Sequence, residues 1–283
     1  MKIETLNCPI CQNIDYDISY NGYEYVTDKN EIKDFKIIKC SNCGLARNYP
    51  LPYFDDVFAD VYQDFSYVDP YENTKLWNTF FMPIINKMKK YKKSGRVLDI
   101  GCSSGYLLKL SKDFNFETYG VELNPNAVKY GNDNFSLNII NKDLKAANFE
   151  SNFFDIIVCS QLMEHIVNPE NLLSEIYRVL KKDGILIIDS PNYAGLMVKF
   201  WGKKWGGYQP QWHIWQFTPK SISALLSINN FNSVEISCRQ NIDCNVPTSF
   251  LKKLFYYTIY KAINKITELI NMSDKLLVVA IKK

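Results

Sequence analysis

Two sets of side chains in this chain have the types and spacing to do chemistry: paired cysteines, and acids and imidazoles set after a glycine-rich bend. Cys8-Pro9-Ile10-Cys11 and Cys40-Ser41-Asn42-Cys43-Gly44 form two Cys-x-x-Cys pairs with 28 residues between them. Each pair can offer two thiolates from one tight turn, and four thiolates complete the tetrahedron that zinc prefers. Gly44 can take the positive φ that closes such a turn. The expectation is a structural zinc held by Cys8, Cys11, Cys40 and Cys43, a closed site with no open position for catalysis. The competing readings are two disulfides or four ordinary buried thiols, and paired spacing in an intracellular setting favours metal. A redox pair is disfavoured because neither pair follows a strand and opens a helix. The connector is longer than the roughly 15–20 residues usual in a ribbon. Cys102, Cys159, Cys238 and Cys244 are scattered and read as reduced packing residues.

The second set begins at Arg96-Val97-Leu98-Asp99-Ile100-Gly101-Cys102-Ser103-Ser104-Gly105, a short apolar strand, a glycine turn and a helix start. Small residues at such a turn let the backbone approach a ligand, which in an open α/β sheet binds beyond the carboxyl ends of the strands. Seventeen residues past Gly105, at the tip of the next strand, stands Glu122, an acid able to accept both hydroxyls of an adenosine ribose. Asp143, after the third strand, can accept from an adenine amino group. A nicotinamide dehydrogenase would show G-x-G-x-x-G, which this turn does not match. Gly101-Cys102-Ser103-Ser104-Gly105 does fit the G-x-S-x-G elbow of hydrolases, with Ser103, an Asp and His213 in that chain order. Against that reading, no HGGG-like segment precedes the turn, and the turn ends the first strand of the sheet rather than a later one.

Asp99-Ile100-Gly101-Cys102-Ser103-Ser104-Gly105 resembles the D-x-G-x-G-x-G signature of class I S-adenosylmethionine-dependent methyltransferases, with Ser103 where the middle glycine usually stands. The resemblance runs from about Arg96 to the end of the chain, and Phe154-Asp155-Ile156-Ile157-Val158 looks like that family's fourth strand. It implies donor binding at Asp99, Gly101, Cys102 and Gly105, ribose contact at Glu122 with Leu123, adenine contact near Asp143 and Leu144, and a further contact at Ser160. A four-cysteine module ahead of such a domain is similar to sugar C-methyltransferases and to methyltransferases of surface-polysaccharide clusters. Those C-methyltransferases carry a further C-terminal domain that has no counterpart here.

Methyl transfer from a sulfonium is an in-line displacement, accelerated by holding the reactants in line. A base is needed when the acceptor is a hydroxyl or a carbon acid. The chain has only two histidines. Glu164-His165 follows the fourth strand directly, and a histidine with an ordinary pKa of about 6.5 can take a proton at working pH. His165 is the candidate base, with Glu164 orienting it or binding substrate; the bland alternative is a core or capping histidine. Glu-His here also resembles ubiquinone-pathway O-methyltransferases, whose additional acid three residues earlier is replaced by Gln161. Trp201, Trp205, Tyr208, Trp212, His213, Trp215 and Phe217 crowd one later segment. Flat rings suit stacking on a sugar or base, which nominates His213 and Tyr208 as acceptor-facing, and they equally suit a hydrophobic roof.

The elements that must carry these residues alternate. Strands are read at 97–100, 117–122, 137–140, 154–159, 185–189, 234–239 and 275–281. Asn124-Pro125, Asn168-Pro169 and Thr218-Pro219 mark helix starts, and Gly184 a helix end. This predicts a mainly parallel, Rossmann-like seven-stranded α/β sheet, with a small N-terminal zinc ribbon. Residues 1–47 form the ribbon, built on a small hairpin from the alternation Ile14, Tyr16, Ile18, Tyr20 and then Tyr23, Tyr25. Residues 48–94 are an aromatic and helical cap, and 95–283 the donor-binding domain. A helical insertion at 247–271 reads as a lid, a dimer contact or a peripheral contact with a lipid surface.

Composition bounds the partners. With 33 basic against 30 acidic residues and a net charge of +3, the chain has no excess suited to nucleic acid, and the charges of residues 1–47 are mixed. No run approaches the roughly 20 apolar residues of a membrane span, and Met1–Thr5 lacks a leader's apolar run. A cytoplasmic enzyme acting on a small molecule is expected, a nucleotide-linked sugar or related glycan precursor by the resemblance. An RNA or protein methyltransferase, or a noncatalytic binder, are the alternatives.

Overall fold

The computed structural model describes residues 6–21, 25–26, 31–32, 35–51, 74–202, 205–210, 212–239, 261–270 and 272–283. The N-terminal part holds β1 (Tyr16–Asn21), β2 (Tyr25–Val26), β3 (Glu31–Ile32), β4 (Lys36–Cys40) and β5 (Ala46–Tyr49). Then come α1 (Thr74–Tyr91), β6 (Gly95–Ile100), α2 (Tyr106–Lys112), β7 (Phe116–Val121), α3 (Pro125–Phe135), β8 (Ile139–Ile140) and α4 (Leu144–Ala147). They are followed by β9 (Phe154–Ser160), a 3₁₀ turn (Met163–His165), α5 (Pro169–Val179), β10 (Leu180–Pro191) and α6 (Leu196–Trp201). The chain closes with β11 (Trp215–Gln216), α7 (Pro219–Ile228), β12 (Phe231–Arg239), α8 (Lys261–Leu269) and β13 (Lys275–Lys282).

Seven strands form one sheet in the order β12-β13-β10-β9-β6-β7-β8. Neighbours from β10 to β8 run parallel, and β13 lies antiparallel between β10 and β12. This is the Rossmann-like α/β sheet expected. From β6 the chain winds outward to β7 and β8, then returns to β9 and β10 on the other side. The switch between β6 and β9 leaves a crevice at their carboxyl ends, where a ligand is bound in open sheets. The central strands are apolar because both faces are covered. Alternation splits β9 between them: Ile156 and Val158 join Ile84, Ile85 and Met88 of α1 and Leu107 and Leu110 of α2, whereas Ile157 and Cys159 join Leu173, Ile176 and Val179 of α5.

A smaller sheet, β1-β4-β5-β11, adds a strand from the far side of the chain: Trp215 pairs with Arg47 and Gln216 with Ala46. The boundary drawn at 47 therefore falls inside a strand that is hydrogen-bonded to the larger domain. Cys8, Cys40 and Leu45 share the main hydrophobic core with Trp215 and Phe217.

Several local expectations are corrected. Among the described residues β1 pairs with β4, placing Tyr16 opposite Cys40, as the return of the second cysteine pair to the first requires; Tyr23 lies outside the described residues. The β2 strand pairs with β3 instead. Helix α5 stops at Val179, and Leu180 already pairs with Phe154. Gly184 serves a bulge in β10, where a Cβ would lie 2.7 Å from Leu180 Cδ1 and 2.9 Å from the Lys181 carbonyl. Asn124 and Thr218 cap their helices as expected, but the Asn168 side chain makes no capping bond.

Residues 53–71 of the aromatic cap, Cys244, and 247–260 of the insertion lie outside the described residues, as do the side chains of Trp201 and Ile263. Of the insertion, α8 is described, with Ile266, Leu269 and Ile270 exposed and Thr267 buried. Among the described residues no helix is long and apolar enough to cross a membrane.

Candidate active site

Strand β6 delivers Asp99 and Ile100 to the crevice, and the chain turns at once through three left-handed residues: Gly101 (φ 71°), Ser103 (φ 52°) and Gly105 (φ 78°). At Gly105 a Cβ would lie 2.4 Å from Leu137 Cδ1, so a side chain is excluded by space as well as by backbone strain. Ser103, in the middle-glycine position, adopts the glycine-like conformation.

The Glu122 carboxylate, nearly buried after β7, closes the bend. Its Oε2 accepts from the Ser103 N–H at 2.9 Å and its Oε1 from the Asn124 N–H at 2.8 Å. The carboxylate thus faces the bend with two fixed donors and spare lone pairs. Leu123 beside it is 55% exposed. The Asn141 side-chain amide donates to the carbonyls of Glu122 and Leu123, fixing their direction. Asp99 is buried; burial first and the Glu122 charge second hold its carboxyl well above the usual range. The buried Cys102 thiol is pushed up for the same reasons, by burial, Asp99 and Glu122. Asp143 is exposed and caps α4 through Oδ1 (Ala146 N–H, 2.7 Å), with Leu144 buried next to it. The bend, Glu122, Leu123 and Asp143 thus stand at consecutive strand ends, as the crevice requires.

Across the switch point, β9 ends at Ser160, whose hydroxyl lies 3.4 Å from Asp189 Oδ2. The 3₁₀ turn then supplies Glu164 and His165. Glu164 is buried; its Oε2 accepts from Ser190 Oγ at 3.0 Å and its Oε1 has no partner. His165 Nδ1 lies 3.0 Å from the Trp212 carbonyl, and His213 Nδ1 lies 2.8 Å from the Gly207 carbonyl. A carbonyl only accepts, so each Nδ1 carries the proton and each Nε2 presents a lone pair. The two rings meet edge to face at 4.7 Å, and one polar atom from each of Glu164, His165 and His213 lies within 4.8 Å of the others. Burial lowers His165, against the Trp212 hydrogen bond, and lowers His213 to about 3, with repulsion from His165 second. Burial pushes Glu164 up to about 8, with Asp189 adding repulsion and Ser190 opposing. At neutral pH the cluster therefore holds two uncharged imidazoles and a protonated carboxyl.

These shifts have opposite signs in stability. Glu164 is raised from 4.5, so its contribution is complete below 4.5 and is lost as pH rises toward about 8. His213 is lowered from 6.5, so its contribution is complete above 6.5 and is lost as pH falls toward about 3. The two slopes cancel between 4.5 and 6.5. Above that window Glu164 contributes a fall in unfolding free energy of about 1.4 kcal/mol per pH unit, on top of the fall from the raised Asp99. Urea titrations at a series of pH values check this, and Glu164→Gln should make the alkaline limb shallower by that amount.

The four cysteines of the N-terminal sheet also converge. Cys8 Sγ lies 3.3 Å from Cys43 Sγ, and Cys11 Sγ lies 3.5 Å from Cys40 Sγ; all four are within 4.8 Å of one another and none is in a disulfide. A tetrahedron of roughly 2.3 Å metal–sulfur bonds puts its sulfurs about 3.8 Å apart, so the donor set fits a thiophilic ion. Burial acts to raise Cys40, but N–H donation from Cys43 and Asn42 and the Asn13 amide outweigh it and bring the thiol to about 6.

Not every nominated residue reaches the crevice. The Tyr208 ring is buried against Phe35, Ile37, Ala46 and Trp205, a packing position on the smaller sheet. Trp205, Trp215 and Phe217 are likewise core. His213 pairs edge to face with His165, and among the described residues no hydrogen bond joins the exposed Ser103 hydroxyl to a base. The reading also missed residues. Asp189 is fully buried and held by Arg239 at 2.7 Å and Gln161 at 2.9 Å, and Asn48 reaches the His213 segment. The only local signal for Asp189 was a charge at the tip of an apolar strand; Asn48 had none.

Residues 75–236 match the methyltransferase domain family. An uncharacterised protein of Methanocaldococcus jannaschii is 36% identical over 113 residues, covering 39% of this chain and 48% of that one. The ubiquinone biosynthesis O-methyltransferase of Glaesserella parasuis is 28% identical over 107 residues (34% and 45%), and the sterol 4-C-methyltransferase of Caenorhabditis elegans is 32% identical over 98 (32% and 29%). The chain thus spans about half or less of the length of these curated relatives. Among solved structures, a Pyrococcus horikoshii protein superposes with a TM-score of 0.54 at 17% identity, covering 79% of this chain and 95% of that one. A SAM-dependent methyltransferase of Archaeoglobus fulgidus superposes at 0.50 with 23% identity (74% and 99%). These superpositions show the fold.

Proposed function

This chain belongs to the methyltransferase domain family, and we propose that it moves a methyl group from S-adenosylmethionine to a small molecule, a nucleotide-linked sugar or related glycan precursor. The bound donor would supply an electrophilic methyl on a sulfonium. The observation that carries the reading is the Glu122 carboxylate, fixed by two backbone N–H groups opposite a bend with three left-handed residues. In that position it accepts both hydroxyls of a ribose, while exposed Leu123 gives the base an apolar flank and Asp143 with Leu144 borders its far edge. Gly101, Cys102 and Gly105 keep the bend thin enough for the donor's backbone contacts, and Asp99 and Ser160 border it at the ends of β6 and β9.

On the acceptor side, His165 Nε2 takes the proton that leaves the acceptor hydroxyl or carbon acid. Its Nδ1–H stays on the Trp212 carbonyl, which fixes ring direction and tautomer. Glu164, protonated at neutral pH, offers a hydrogen bond to the acceptor rather than a charge, and His213 presents a second neutral lone pair. The cysteines Cys8, Cys11, Cys40 and Cys43 hold a structural zinc with no open position.

Two relatives are named for small-molecule acceptors, a ubiquinone precursor route and a sterol, which supports the small-molecule class. The sugar assignment rests on the cysteine module ahead of the donor domain. A labelled-methyl screen of the purified, metal-replete protein against nucleotide-linked sugars, quinone precursors, total RNA and protein extracts tests it. Label in a nucleotide sugar is expected. Label only in RNA or protein would overturn the small-molecule reading.

A further inference from the structure

Beside the β5–β11 pairing and the shared core, one side chain of β5 bonds directly to the segment that bears His213. Asn48, on β5, is fully buried. Its Nδ2 donates to the carbonyls of Tyr208 at 2.7 Å and His213 at 2.9 Å, and its Oδ1 accepts from Gln216 Nε2 at 3.1 Å. Its backbone N–H donates to the Ile214 carbonyl at 2.9 Å. Every one of these partners lies in the segment from Tyr208 to Gln216, the one that bears His213. The other side of that segment is held by the 3₁₀ turn: Ile214 N–H donates to the Glu164 carbonyl at 2.7 Å, Trp215 Nε1 to the Ile166 carbonyl at 2.9 Å, and the Trp212 carbonyl takes His165 Nδ1. Behind Asn48, β5 pairs with β4, which ends on Cys40, and the Cys40 N–H donates to the Leu45 carbonyl at 2.9 Å.

We infer that Asn48 is a positioning residue that transmits the order of the cysteine cluster to the His165–His213 pair, fixing the proton of each ring on Nδ1 so that both Nε2 atoms face the acceptor. A surface amide could be exchanged freely. Removing this buried amide takes away its donor to the buried His213 carbonyl, while the Tyr208 carbonyl keeps the Gln216 Nε2 donor at 3.1 Å. The two carbonyls it holds belong to residue 208, next to the Gly207 carbonyl that takes His213 Nδ1, and to residue 213, next to the Trp212 carbonyl that takes His165 Nδ1. Packing alone would be served by any residue of similar volume; two donors aimed at two carbonyls would not. The inference rests on the reading of this pair as the acceptor-activating site, and it is tested separately from it.

Because the chain has only two histidines, nitrogen-15 NMR of histidine-labelled protein gives two resolvable imidazoles, assigned with His165→Gln and His213→Gln. The charged or titratable groups around them are each other, Glu164 on the same turn, Asp189 beside it on β10 and Lys275 on β13, and Asn48→Ala alters none of these. In the intact protein both rings should be neutral Nδ1–H tautomers at pH 7. In Asn48→Ala the single tautomer should give way to a mixture, and the His213 midpoint should rise toward the ordinary 6.5. Asn132→Ala, which removes an amide bonded to both backbone groups of Ile139 at the far edge of the sheet, should leave both imidazoles unchanged. Should Asn48→Ala not fold, Gln216→Met removes the donor on Asn48 Oδ1 and should give a smaller shift in the same direction. Imidazoles that titrate as in the intact protein in either variant overturn the inference. Calorimetry with S-adenosylhomocysteine is run on the same samples: retained binding in Asn48→Ala is expected, whereas absent binding in the intact protein contradicts the methyltransferase reading and leaves the imidazole result standing.

Discussion

Replacing Cys40 with serine should abolish stoichiometric zinc in the purified protein and lower its unfolding midpoint by about 10 °C or more, on the order of several kcal/mol for a chain of this size. The size of the effect follows from where the cluster sits. Cys8 and Cys40 are buried in the same hydrophobic core as Leu45, Ile214 and Trp215, so the module has no independent interior to fall back on. Without a metal, four sulfurs lie within 4.8 Å of one another, and burial holds two of them, Cys8 and Cys43, above their usual range. With zinc, each becomes a thiolate paired to charge, and binding energy becomes folding energy. Serine keeps the volume but gives up the soft donor, and Cys40 is the thiol that surrounding N–H groups already favour in its ionised form. Metal analysis and a thermal scan check the result together. Full zinc content in Cys40→Ser would refute the ligand set.

The second large effect is on turnover. His165→Ala should lower kcat by about 10²–10⁴-fold, the range for removal of a positioned general base, with little change in donor binding. The sign of the pH profile is also fixed. The base form is the neutral ring, and burial holds His165 below the ordinary 6.5 despite the Trp212 hydrogen bond. Activity should therefore stay flat as pH falls through 6.5 and drop only below it, on a limb that disappears in the variant. Initial rates against pH, using whichever acceptor the screen identifies, supply the measurement. An unchanged rate in His165→Ala would remove it as the base.

The glycine bend, Glu122 and the Glu164-His165 step could be read from the sequence because each is local. A strand end, a left-handed turn and a helix start lie within about ten residues, and the positive φ that favours glycine at 101 and 105 is a property of those positions' own backbone. The sheet was legible for a similar reason, since buried parallel strands are continuous apolar runs. Boundaries failed where a residue served two demands: Gly184 looked like a helix end, yet it is small because β10 bulges against Leu180. The role of Tyr208 and the importance of Asn48 were hidden altogether. Both depend on β11, a two-residue strand whose pairing with β5 joins positions about 168 residues apart, and neither composition nor period registers so short a pairing. Asp189 was hidden by its partner, because Arg239 sits on a different strand 50 residues later.

The claim on which the account stands is that Glu122 and the 101–105 bend hold the methyl donor. Isothermal titration of the intact protein with S-adenosylhomocysteine, repeated on Glu122→Ala, addresses it most directly. The account predicts one site per chain and affinity about 100-fold weaker in the variant, the equivalent of losing two hydrogen bonds to a charged group. No binding to the intact protein, or equal affinity in both, would contradict it.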